Sequence, residues 1–257
     1  MKLMSILNNI RLVESYQHID IKDKSNHDNF INEFHSKCQV AINKYKEGVR
    51  FYRGFPAPEK DIVYYIDPTN YTRKASETHN YINLLFDNNA ELGHVGKRSK
   101  SVITCTDFGQ SDRYGKSYII FPIGDPYMSY GKSPDFWYNF ENTIGHVDVV
   151  NSEIKSILTD AHQDTNDSDI NILKKSLRKA QEILKYRGED EEVQYSTEDY
   201  FTEDKDIVEN FFDRLNPQKN GIESKKLSTM GRMTRKEIWT EVPCYAIDYY
   251  KIYQILP

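Results

Sequence analysis

The chain has 257 residues, a net charge of −5, and 38% hydrophobic residues, with 19 Tyr and 12 Phe supplying much of the apolar mass. That length suits one large domain or two small ones, and the acidic balance excludes wholesale wrapping of nucleic acid while leaving room for a local basic patch. No stretch is long enough to span a membrane, no charged region followed by a long apolar run marks a secretory signal, and the odd set Cys38, Cys105 and Cys244 lacks metal-ligand spacing, so a cytoplasmic chain with reduced thiols is expected.

Taken in chain order, residues 1 to 28 are mixed and polar and read as loops. Ile31, Phe34, Cys38, Ala41, Ile42 and Tyr45 recur at helical spacing, and Gly48 suits the C′ position, so one helix is predicted there. It runs into a strand, VRFYRG, and DIVYYID reads as a second strand before Asp67, Pro68 and Asn70 break it. SETHNYINLLFDNN reads as a helix with Ser76 as N-cap. A basic loop, GHVGKRSK, precedes the strand SVITCT, a turn and the apolar strand SYIIFP. Residues 124 to 142, rich in Gly, Pro and aromatics, read as structured loop or short strands.

The stretch from 150 to 215 is charged and helical. Ile170, Leu173, Leu177, Ala180 and Leu184 form one stripe, and Val208, Phe211, Phe212 and Leu215 another, separated by an acidic loop. We read it as a helical insertion within a single domain spanning 1–257. Asp160, His162 and Asp164 in DAHQD read as a solvated helix end rather than a metal site. A polar loop, 217–236, carries Lys219, Lys225, Lys226, Arg232, Arg235 and Lys236. The chain then closes with a strand pair in EIWTEVPCYAIDYYKIY. The fold class expected is α+β.

Three pieces carry candidate chemistry: Arg53 ending FYRG; Ser99, Ser101, Thr104 and Thr106 in RSKSVITCT; and Glu237 and Glu241 in RKEIWTEV. In this order, with YGKSYIIFP, PCYAI and RKASETHNYINLL around them, they resemble the ADP-ribosyltransferases of the arginine–serine–glutamate class, especially phage-encoded and bacterial-toxin members. The resemblance covers about 53–122 and 231–247, and omits the helical stretch. It implies a split, mostly antiparallel β core with flanking helices, and NAD as substrate.

The resemblance also implies roles. Arg53 would hold the pyrophosphate with its guanidinium fork, and Gly54 would let ligand approach the backbone. Arg73, Ser99, Thr106 and Tyr114 would add nucleotide contacts, with the Tyr114 ring a stacking surface. A glutamate would stabilise the positive charge that grows on the ribose as nicotinamide leaves. Glu237 is favoured over Glu241, because Ile238 and Trp239 follow it. Ser101 is favoured as the hydroxyl, with Thr106 and Thr104 as the other choices. Ser101 falls on the opposite strand face from Thr104 and Thr106.

Arg235 and Trp239 stand where many members carry a second acid two residues before the catalytic one, so the acceptor remains open between protein and nucleic acid. The basic loop 217–236 offers a surface for RNA or DNA, and a toxin of this kind implies an antitoxin or other regulatory protein. A second reading is a catalytically inactive member that kept the fold as a binding protein.

Overall fold

The computed structural model describes residues 16–58, 62–70, 72, 79–187 and 205–256. Arg73 and Ser76, and the acidic loop after the first helical stripe, lie outside the described residues. The described residues form two compact units: one from 16–58, 62–70, 72, 94–136 and 222–256, the other from 79–93, 137–187 and 205–221.

The first unit holds all the described strands: β1 (Tyr16–Ile19), β2 (Tyr52–Phe55), β3 (Val63–Ile66), β4 (Val102–Cys105), β5 (Lys116–Pro122), β6 (Tyr127–Tyr130), β7 (Glu223–Lys226), β8 (Glu237–Thr240) and β9 (Cys244–Asp248). They form a nine-stranded sheet in the order β1-β3-β9-β5-β2-β4-β8-β6-β7, antiparallel at each described pairing. Together with its helices this gives an α+β architecture.

The two strands that lie in segments whose sequence predicts loops, β1 and β7, are the edges of this sheet. An edge strand pairs on one side only and needs little apolar character. YQHI and ESKK accordingly lack the apolar run that marks the central strands.

The predicted first helix is two. Helix α1 (Lys24–Lys37) is capped by Asp23, whose carboxylate accepts from the amides of Ser25 at 2.9 Å and Asn26 at 3.2 Å. Helix α2 (Gln39–Lys46) follows after Cys38, at φ −112° and ψ 21°. The break has no Gly or Pro behind it. It is a bend at a fully buried thiol that lies 3.6 Å from the Phe121 carbonyl, so tertiary packing sets it. At the far end Gly48 adopts φ +85°. Its amide donates to Tyr45 O at 3.0 Å and that of Val49 to Lys44 O at 2.9 Å, the paired bonds of a Schellman stop.

Phe30 and Phe34 of α1 meet Tyr245 edge-on at 5.5 and 5.9 Å, and Phe34 meets Phe121 at 5.0 Å, which anchors α1 on the β5–β9 part of the sheet. The short helix α3 (Tyr81–Asp87) belongs to the second unit and starts behind Asn80. A further helix, α4 (Phe108–Asp112), occupies what reads in sequence as a turn, and Asp107 caps it.

The second unit contains α3, α5 (Val147–Asp160), α6 (Ile170–Arg187) and α7 (Ile207–Arg214). Besides the described part of 150–215 it takes in 79–93, 137–149 and 216–221. Leu173, Leu177 and Ala180 of the first stripe and Phe211 and Leu215 of the second are fully buried. Gln181 ties α6 to the start of α7: its Oε1 accepts from the Ile207 amide at 3.0 Å and its Nε2 donates to Lys205 O at 2.8 Å. Among the described residues no helix is long and apolar enough to cross a membrane, and no cluster of three or more His, Cys, Asp or Glu is arranged to hold a metal.

Candidate active site

Strands β2, β4 and β8 are consecutive in the sheet. They carry, in turn, Arg53, the hydroxyl segment and Glu237. Between β4 and β8 four residue pairs form, with Cys105 opposite Glu237. The Thr106 amide extends this ladder to Lys236 O at 2.9 Å. Between β2 and β4 a single pair forms, Tyr52 with Cys105, so the sheet is nearly parted there.

Arg53 is 8% exposed at this seam. Alternation along β4 turns the even-numbered backbone groups toward β8, and thus Ile103 toward β2. Nη1 of Arg53 donates to that Ile103 carbonyl, which the shortened ladder would otherwise leave without a strand partner. Nε and Nη2 donate to the Tyr16 hydroxyl at 3.4 and 3.2 Å. The guanidinium thus spans the seam from an edge strand to β4.

The Gly54 position has a clear cause. A Cβ there would lie 1.8 Å from the Ser111 carbonyl oxygen, so the close approach to this glycine is made by the end of α4. Tyr114, just beyond, is 67% exposed. The aromatic rings gathered beside β2 are others: Phe108 and Tyr249 lie 5.8 and 5.9 Å from Tyr52 and 4.4 Å from each other.

Across the seam, a 3₁₀ turn (Arg98–Lys100) leads into β4. Ser99 sits half-buried in it. Ser101 is fully buried and its Oγ donates to Lys97 O at 2.7 Å. Thr104 Oγ1 donates to Ile238 O at 2.9 Å, and Thr106 Oγ1 accepts from the Lys236 amide at 2.9 Å. The hydroxyls therefore divide: Ser101 bonds back to its own turn, while Thr104 and Thr106 bond to β8 and its approach. Gly96 draws Ser101 and Glu241 into one neighbourhood, since a Cβ there would lie 3.4 Å from Ser101 Oγ and 3.1 Å from Glu241 Cγ.

Arg98, in the segment whose sequence predicts a basic loop, meets Glu237. Its Nη2 lies 2.7 Å from Glu237 Oε1, with both side chains sheltered. Its guanidinium lies 4.3 Å over the Phe136 ring. Phe136 packs edge-on against Trp239 at 5.5 Å, and Trp239 Nε1 donates to Gly96 O at 2.7 Å. The one available signal was the position of Arg98, three residues before Ser101.

The Cys105 thiol lies within the field of both sides of the seam. Burial pushes it up to about 11, Glu237 adds to the rise and Arg53 opposes it. A thiol so raised is a poor nucleophile at neutral pH.

The basic loop is largely engaged by its own chain. Lys219 pairs with Asp213, Lys225 with Glu223 at 3.6 Å, and Lys226 lies 4.7 Å over the Tyr127 ring. Arg232 Nε donates to Glu47 O at 3.1 Å and Lys236 Nζ to Lys132 O.

No protein-family model matches the chain, and no curated protein or solved structure matches it either.

Proposed function

We propose that the protein is an NAD-dependent ADP-ribosyltransferase working at the seam between β2 and β4. One observation carries the reading: the strands of Arg53, of the Ser101–Thr106 hydroxyls and of Glu237 are neighbours, in a sheet nearly parted beside Arg53. Glu237 stabilises the positive charge that develops on the ribose as the C–N bond to nicotinamide breaks. Nicotinamide leaves with the bonding electron pair as a neutral base. The acceptor then bonds to the ribose carbon and gives up its proton. By the register of Tyr52 with Cys105 and Cys105 with Glu237, Arg53 leaves β2 on the sheet face opposite Glu237, so on this reading its guanidinium reaches the pyrophosphate through the gap between β2 and β4, while Ser101 orients the carboxylate and ribose through the turn it closes. The NAD-fold identity and the macromolecular acceptor, nucleic acid or protein, belong to this proposal.

The test uses NAD labelled in its adenylate half, incubated with the chain and a cell lysate. Label should pass to a macromolecule with release of nicotinamide, and Glu237→Gln should lower both at least about 100-fold. Nuclease and protease digestion of the product then identify the acceptor class. No transfer and no nicotinamide release from the unaltered chain would sink the proposal.

A second reading has its own support. Glu237 already bonds a guanidinium of its own chain, as a structural ion pair does. On that reading the protein is a non-enzymatic binding protein, and NAD gives no change in its melting temperature.

A further inference from the structure

We propose that Arg98 is the positioning residue for Glu237; the assignment rests on the transferase reading above. A carboxylate on a strand can swing about its χ angles, and a reacting group displaced by about 1 Å loses on the order of 100-fold in rate. Something must therefore fix Glu237. Arg98 does so from a separate segment. Its Nη2 holds Oε1 at 2.7 Å, and on the transferase reading Oε2 is the oxygen turned to the ribose.

Arg98 is itself fixed. It is 7% exposed, lies on a short 3₁₀ turn and rests 4.3 Å over the Phe136 ring. Phe136 is held by Trp239, which stands two residues along β8 from Glu237. Trp239 is tied to Gly96, two residues before Arg98. The Gly96 amide donates to Ser129 Oγ at 2.8 Å on the next strand. The chain of contacts closes on itself: β8 supplies both the carboxylate and the indole that locks its partner. A surface ion pair would show none of this framing. Arg also suits the place better than Lys, because a planar guanidinium can hydrogen-bond a carboxylate at its edge while its face lies on a ring.

The test measures nicotinamide release from NAD with water as acceptor, at varied NAD. Arg98→Gln should lower kcat about tenfold to hundredfold and leave KM for NAD within about twofold, because the bond lost serves the transition state rather than binding. Arg98→Lys, which keeps the charge and loses the fork, should recover part of the loss. In a Glu237→Gln background, Arg98→Gln should cost nothing further, since a residue acting through Glu237 has nothing left to position. If Arg98→Gln does not fold by circular dichroism, Phe136→Leu decides: both charges stay, and kcat should fall severalfold at unchanged KM.

Unchanged kcat in the variant that folds overturns the assignment, as does an equal loss with and without Glu237. If the unaltered chain releases no nicotinamide, the transferase reading falls and the assignment with it. If it turns NAD over and Arg98→Gln matches it, the assignment alone falls.

Discussion

A Cβ at Gly54 would lie 1.8 Å from the Ser111 carbonyl oxygen, inside any van der Waals limit. That oxygen belongs to backbone near the end of α4, so it has no flexible side chain to give way. Gly54→Ala should therefore force β2 and α4 apart and cost on the order of 3 kcal/mol, read as a lower urea midpoint. In sequence the same glycine suggests room for a ligand. The two explanations are alike in a string of letters, because both ask only that a side chain be absent. Arg98 shows the reverse. Its residue type was visible and its partner was not, since Glu237 lies far along the chain and the contact exists only once β4 and β8 pair.

Elements were legible where one face is buried and the period is clear. The stripes of α6 and α7 place Leu173, Leu177, Ala180 and Phe211 in the interior, as helical spacing requires. Edge strands gave no such signal, and neither did the bend at Cys38. The link between α6 and α7 also has a titratable part. Burial raises the Asp206 carboxyl, but the Arg178 guanidinium at 2.6 Å and the amides of Val208 and Glu209 outweigh it, so the net shift is downward. A carboxyl lowered in the folded state stabilises fully above its unfolded pKa and loses that contribution as pH falls through the folded value. Asp206→Asn keeps a capping side chain and removes the charge. It should lower stability by about 1 kcal/mol or less at pH 7, because the pair is partly exposed, and the gap should close in acid. Urea melts of both chains across the acid range measure it. A gap that widens toward low pH would contradict the sign.

At the scale of the whole sheet, Arg53 is placed where the ladder fails. One residue pair joins β2 to β4, and the Arg53 guanidinium spans from the Tyr16 hydroxyl to the Ile103 carbonyl. It therefore has two duties on the proposed reading, closing the sheet and reaching the pyrophosphate through the gap. Arg53→Ala should lower the melting temperature even without NAD, because it leaves the Ile103 carbonyl without its donor. On the transferase reading NAD should raise the melting temperature of the unaltered chain, and Arg53→Ala should abolish that rise. The second effect, the increment with NAD, is the one that tests binding. An increment that survives in Arg53→Ala removes Arg53 from the nucleotide site.

The sequence by itself determined the α+β class, the central strands, the helical stretch and the order of an arginine, a hydroxyl segment and a glutamate. These follow from local period, from turn chemistry and from residue type, all of which act over a few neighbouring positions. Tertiary structure alone decided that β2, β4 and β8 lie side by side, that the sheet nearly parts between the first two, and that Arg98 meets Glu237. Such pairings join segments far apart in the chain. Their energy comes from burial and hydrogen bonds that exist only after the strands have met, so no local pattern records them.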